Sequence, residues 1–548
     1  MPETTGSNKS ELNTNSSHMV RHALFMMAGT FASRILGLLR EIMTAAYFGA
    51  TAQLDAFNIA YTLSNLSRQL LAEGALSAAF VPVFSNVLAE KGKEKAFSLA
   101  RQAMSILMTA AFIVTVAGIA VSPALVSLMA PGFDSESSAL ATNLTRLLFP
   151  FLFIISIAAL AMGMLNSLGS FFVPSLAPAF SNLSFLIILP FLIPFFGVYG
   201  LAVAVLVGGV LNFLSQWLWS KKTGVVLLPE KPDFSDPNLK KMTRLFFPYA
   251  IGLSMNQLNP ILSRMFASFL EEGAISALNY ANRIIQLPLG LFVIAVSQAV
   301  LPQLSRIPKS DIKSFGETLS DALRFVLFIV LPASIVSFVY SDEIVHLLFV
   351  RGAFGESAWT ATSTALKMSV LGLPGMACST VVMRGLYALG LAKGALFNTF
   401  ISVVCTLVSS LILLKPLGLA GLAAAPSIAF TIASAAGIFQ ISKELSKKQK
   451  EQSSSTVKFS HPFSIPRNWI IKITLCLLAL TAYMLLLNEL LTYDTSSAFT
   501  ARAALMFLIL TSGVLMYALI AYLLKFDELR WLRRAITREK HTPPHKDK

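Results

Sequence analysis

The chain has 548 residues, 55% of them hydrophobic and only 13% charged, with a formal net charge of +15 and a mean hydropathy of +0.68. Soluble domains carry about 25% charged residues, so a water-soluble enzyme or binding module is excluded. Apolar runs of about 20 residues recur from end to end, and in hydrocarbon each must be a helix to satisfy its own backbone. A β-barrel is excluded because its strands would alternate polar and apolar over about ten residues.

Residues 1–21 read as a polar, Ser/Asn-rich tail with no apolar core or small-residue cleavage site, so the first long helix is expected to serve as the insertion signal. About fourteen spans follow, near 23–49, 54–86, 98–130, 139–168, 172–196, 198–220, 240–270, 274–304, 317–350, 359–391, 394–415, 418–442, 468–492 and 499–525. The fold class is therefore an all-α polytopic membrane protein. The first span carries Arg34 and Arg40 in FASRILGLLREIMTAAYFG, and the second carries Arg68 in NLSRQLLAEGALSAAFVP. Each would cost roughly 2.5–3.5 kcal/mol at a bilayer centre, so several together suggest a hydrated cavity built for an anion. Arg34 and Glu41 lie seven apart on one helix face, with Glu41 a candidate partner for a cation on another helix. Asp55 opens the second span and Glu73 lies deeper in it. Further along, Arg264, Arg283 and Arg384 fall in apolar surroundings. Guanidinium stays charged and matches phosphate oxygens with a planar fork, which favours a phosphate-bearing substrate. Snorkelling to an interface or a structural ion pair stays open as the alternative, most of all for Arg264 and Arg384.

Loop charge orients the chain. One set of alternate loops holds Lys91, Lys93, Lys95, Lys221, Lys222, Lys240, Lys241, Arg306, Lys443, Lys447 and Lys448; the opposite set is nearly free of Lys and Arg. Both termini are therefore expected in the cytoplasm. This placement of charge between spans also argues against nucleic-acid binding. The chain repeats itself at an offset near 220: VPVFS at 81–85 with LPQLS at 301–305, APGFDSES at 130–137 with RGAFGES at 351–357, and YGLAVAV at 199–205 with LGLAGLA at 417–423. Six spans per repeat keep both halves in one orientation, as in parallel-repeat transporters, though duplication also builds channels and scaffolds. The expected domains are an N-lobe at 22–220, a proline-containing linker at 221–239, a C-lobe at 240–442, a charged linker at 443–467, two extra helices at 468–525 and a basic tail at 526–548.

Signals for catalysis are missing. There is no P-loop, no nucleophile elbow and no metal-ligand spacing, and Cys378, Cys405 and Cys476 all lie in apolar runs. Neither a cofactor nor a metal is expected.

SRILGLLRE at 33–41, LDAFNIAY at 54–61 and RQLLAEGALSAAFVPVFS at 68–85 resemble the amino-terminal signature of the MurJ (MviN) family, and MLNSLGSFFVPSLAPAFSN at 164–182 and YANRIIQLPLGLFVIAVSQAVLPQLS at 280–305 extend the resemblance. These are lipid II flippases of the multidrug/oligosaccharidyl-lipid/polysaccharide exporter superfamily. The resemblance implies two six-helix lobes plus two helices, a lipid-linked peptidoglycan precursor as substrate, the bacterial inner membrane as location and the cell-wall synthesis machinery as a candidate partner. It places the family's required arginines on Arg34, Arg40, Arg68 and Arg283, its aspartate on Asp55 and its Ala-Glu-Gly glutamate on Glu73. The chain departs from the family at 388–398, which lacks an acidic turn, and at Asn282, where aspartate is common. Spans seven and eleven offer no acidic side chain, so sodium coupling is not assigned. An exporter of other lipid-linked oligosaccharides or of drugs is the rival reading, but cationic drugs would call for an acidic cavity.

Overall fold

A computed structural model of the chain describes residues 29, 31–68, 77–225, 227–308, 310–452 and 465–531. The polar tail 1–21, Glu73, residues 453–464 of the charged linker and 532–548 of the basic tail lie outside them. All regular elements among the described residues are helical. They are α1 (31–48), α2 (Ala52–Arg68), α3 (Ser77–Met129), α4 (Ser135–Ser167), α5 (Phe172–Phe196), α6 (Val198–Lys222), α7 (Pro237–Ala267), α8 (Ala274–Pro288), α9 (Ile294–Arg306), α10 (Ile312–Val339), α11 (Ser341–Phe349), α12 (Glu356–Val370), α13 (Leu373–Ala388), α14 (Ala392–Gln452), α15 (Arg467–Leu490) and α16 (Phe499–Leu523). Eight of them are long and apolar enough to cross a membrane, or nine when α12 and α13 count as one span bent by 47°.

Several spans drawn as continuous in the sequence are broken. The eighth is interrupted by a π-helical turn, Leu289–Val293, directly after Pro288. The ninth divides at Tyr340 into α10 and α11. The internal repeat is written in the backbone itself. Gly197, between α5 and α6, has φ 51° and ψ −129°, and Gly418, inside α14, has φ 53° and ψ −126°. Side chains other than hydrogen rarely adopt this region, so both halves use glycine for the same sharp reversal. Three residues on, Gly200 and Gly421 each lie where a Cβ would press on the preceding helix, at Leu192 and Leu413. The equivalence is thus Gly197 with Gly418, three residues out of the register suggested by aligning YGLAVAV with LGLAGLA.

Two compact units result, one running up to Ser276 together with Arg351–Gly355, the other comprising Ala277–Val350 and the chain from Glu356 onward. The first is built on a core in which Phe80, Phe84 and Leu99 of α3, Met164 of α4, Leu227 of the linker and Leu239 of α7 are buried together. The linker is clasped to α3: Glu230 accepts from Ser98 Oγ at 2.6 Å and Arg101 Nε at 2.7 Å, its carbonyl accepts from Ser105 Oγ at 2.6 Å, and Asp233 N donates to Gln102 Oε1 at 3.0 Å. α7 then starts with Asp236 as N-cap and Pro237 in its first turn, where a missing N–H costs nothing.

The second unit fastens α15 and α16 to α10. Pro332 has no N–H, so the Phe328 carbonyl one turn earlier loses its helical donor. The Tyr517 hydroxyl of α16 donates to that carbonyl at 2.7 Å. Nearer one end, Tyr340 OH donates to the Met484 carbonyl at 2.9 Å. At the other end, fully buried Glu528 accepts from Trp469 Nε1 at 2.8 Å and pairs with Arg324 at 2.9 Å. The proline in α10 is therefore a docking point for α16.

Candidate substrate-translocation site

α1 and α5 approach closely because small residues on α1 face α5. A Cβ at Gly29 would strike Ser175, and one at Gly37 would sit 3.7 Å from Asn182 Nδ2. Asn182 donates to the Ser33 carbonyl at 3.2 Å and accepts from Arg40 Nη1 at 3.3 Å. Arg40 Nη2 also pairs with Glu41 Oε1 at 3.0 Å, so the Glu41 carboxylate reaches the cation next to it on its own helix. Tyr61 and Phe185 flank the guanidinium, with ring centroids 5.9 and 5.5 Å from Cζ. Arg34 lies half-buried on the same helix. Arg68 ends α2 and donates from Nε to Asn65 Oδ1 at 2.7 Å.

The other cations differ in setting. Arg283 is half-buried on α8, in the second unit. Arg384 of α13 donates to Ser297 Oγ of α9 at 3.0 Å, a neutral partner. Arg264 reaches back to the Pro260 carbonyl of its own helix at 3.3 Å and pairs with no carboxylate among the described residues.

Asp55 occupies a second site within the first unit. Its carboxylate does not cap its own helix. It accepts from Gly273 N at 2.8 Å, Ser276 N at 2.7 Å and Ser276 Oγ at 2.5 Å, and so caps the N-terminus of α8 from outside. Asn58, one turn along α2, donates to Ser276 Oγ at 3.0 Å. Asp55 is 3% exposed, so these bonds exclude water. Around this anchor the loops meet backbone to backbone. A Cβ at Gly352 would collide with the Ala46 carbonyl, one at Gly273 with the Ala50 carbonyl, and one at Gly132 with the Ser268 carbonyl. Ala353 N donates to Ala46 O at 2.8 Å, and Gly132 N donates to Ser268 Oγ at 3.0 Å. Gly132 and Gly352 stand in the two repeated motifs APGFDSES and RGAFGES, and their contacts at Ser268 and Ala46 are offset by nearly the same distance along the chain. The repeated loops therefore do matching jobs in one seam, which lies where the Lys/Arg-poor loops converge. Sequence reasoning found Asp55 but missed Asn58, Ser276, Asn182 and the seam glycines. The repeat of glycine in both loop motifs was the one available signal.

An all-helical, internally repeated membrane chain with arginines inside its spans and a glycine-lined seam has the architecture of a multi-pass membrane transporter. A solved inward-facing multidrug-resistance MATE transporter of the MOP superfamily shares the fold, with a TM-score of 0.66 at 17% identity over 79% of this chain and all of that one. A solved structure of a lipid II flippase MurJ in an inward closed conformation is more similar, with a TM-score of 0.76 and 26% identity over 92% of this chain and all of that one. The family described as lipid II flippase MurJ matches residues 44–503. A probable lipid II flippase MurJ from Rhizobium tropici is 35% identical over 421 residues, 75% of this chain and 78% of its own length. This chain belongs to the MurJ family of multi-pass membrane transporters, which are not enzymes.

Proposed function

We propose that the chain carries lipid II from the inner to the outer leaflet of the bacterial cytoplasmic membrane by alternating access, with both termini in the cytoplasm. The supporting observation is the pair of sites in the first unit, a guanidinium presented from α1 and, at a separate place, a buried carboxylate that fastens the N-terminus of α8. Unaided flipping would drag sugars, a peptide and a diphosphate through hydrocarbon, at a cost of many kcal/mol. A hydrated path lined by Arg34, Arg40, Arg68 and Arg283 replaces that barrier with charge-assisted bonds to the diphosphate, while the lipid tail stays in the bilayer. Arg384 and Arg264, which lack carboxylate partners among the described residues, are further contacts for the headgroup. Asp55 holds the outer seam shut until the loaded transporter opens it, and Glu73 acts as a second gating or ion-pair group. An inside-negative potential favours outward movement of the anion by about 2.3 kcal/mol per charge per 100 mV. Synthases that polymerise the precursor on the outer face are the partners such a path would feed.

The test is complementation of a flippase-depleted bacterium, scored by externally exposed lipid II. Arg34→Ala should abolish exposure while the protein still inserts. Unchanged exposure would overturn the proposal.

A further inference from the structure

Arg40 is held from several helices at once, and its holder is informative. Residues i and i+1 on a helix point about 100° apart. The Glu41 carboxylate therefore meets the guanidinium from the side, through one N–H···O contact at 3.0 Å. The rest of the cage comes from other helices. Asn182 of α5 grips Nη1 and is itself tied to the α1 backbone at Ser33. Tyr61 of α2 and Phe185, three residues beyond Asn182, flank the guanidinium. The Arg40 side chain keeps 18% of its surface and that of Glu41 9%, so the pair is largely enclosed but not sealed. A planar fork held by an amide and two rings, yet satisfied by a single-contact carboxylate, is set for a better-matched anion.

We propose that Asn182 is a positioning residue for Arg40, and that Glu41 is a resident counter-ion which the substrate diphosphate displaces. The inference rests on Arg40 meeting the diphosphate, as proposed above. The amide and the rings hold the guanidinium plane whichever anion it carries, so exchange swaps partners without turning the side chain. A diphosphate offers two adjoining acceptor oxygens where Glu41 Oε1 offers one. On leaving, the headgroup returns Arg40 to Glu41, and no bare cation is left inside the membrane.

The experiment is a double-mutant cycle on lipid II affinity, measured as Kd with purified protein, beside KM and kcat for flipping in liposomes. Asn182→Ala should weaken binding about tenfold, the worth of one hydrogen bond to a charged group, and raise KM with little change in kcat. In an Arg40→Ala background the same change should add nothing. Asn182→Gln, which keeps the amide oxygen, should restore part of the loss. Glu41→Gln should tighten binding and slow turnover, because the returning counter-ion is gone. Additive losses at Asn182 and Arg40, or a Glu41→Gln affinity equal to that of the parent, would overturn the inference. Should Asn182→Ala fail to fold, the Glu41→Gln arm still decides it. Should Arg40→Ala itself leave Kd unchanged, the diphosphate reading of Arg40 fails; loss there with none at Asn182 sinks only the present inference.

Discussion

Replacing Asp55 by asparagine is the sharpest probe of the seam. The parent carboxylate accepts three hydrogen bonds, from Gly273 N, Ser276 N and Ser276 Oγ, at 3% exposure. An amide retains one acceptor oxygen and turns an NH2 group toward donors that need acceptors. At least one buried charge-assisted bond is lost, about 1.5–3 kcal/mol, together with the attraction of a carboxylate for the α8 N-terminus, about 0.3–1 kcal/mol. A penalty of about 3 kcal/mol on the closed seam shifts its closed-to-open ratio by about 100-fold. The assay is thiol labelling. With Cys378, Cys405 and Cys476 replaced, a cysteine placed at Ala274, which is 5% exposed, reports opening to a membrane-impermeant maleimide. Asp55→Asn should raise the labelling rate toward the 100-fold limit without loss of thermal stability. Gly352→Val, whose side chain would collide with the Ala46 carbonyl, should raise it as well. A labelling rate equal to that of the parent in both variants would refute the assignment of this seam as a gate.

Two further outcomes test the scaffold. Tyr517→Phe strands the Phe328 carbonyl that Pro332 leaves open, and should cost about 1–2 kcal/mol of stability in thermal melts. Adding Pro332→Ala supplies a backbone N–H and should recover much of that loss, whereas independent effects would show that the hydroxyl serves some other purpose. At the linker, bonds from the Ser98 hydroxyl and from Arg101 hold the Glu230 carboxyl below the usual glutamate range. Because the folded-state carboxyl ionises at lower pH than in the unfolded chain, its stabilisation is complete at neutral pH and fades on acidification through that lower value. The pair is about one-third exposed, so about 1 kcal/mol is expected. The melting difference between the parent and Glu230→Gln should be present at pH 7, begin to shrink as the pH falls past the ordinary glutamate range and vanish below the lowered folded-state value; a difference independent of pH would contradict the assignment.

Much of the architecture was legible because the bilayer imposes strict rules. A spanning backbone must be helical, and cations inside it must have a purpose, so composition and arginine placement reached the class and the candidate residues. The repeat was legible as sequence echoes, although its register at the second glycine turn was three residues off, since Gly197 and Gly418 match by dihedral angle and not by the flanking apolar residues. Broken spans were not legible. The gap between α10 and α11 falls at Tyr340, where Ser341, Asp342 and Glu343 form a short polar patch between two apolar stretches, and hydropathy averaged over a whole span does not report where a helix turns.

The sequence alone determined that this is a multi-pass, internally duplicated helical membrane protein with guanidinium groups and an aspartate in its spans, because those properties follow from local chemistry and chain length. Only the tertiary structure decided which partner each group takes. Asp55 serves the N-terminus of a helix more than 200 residues away, and Arg40 is shared between its neighbour Glu41 and Asn182, which lies 142 residues along the chain. Hydrogen bonds and backbone contacts act over about 3 Å, and which groups come that close is settled by helix packing, which no single stretch of sequence contains.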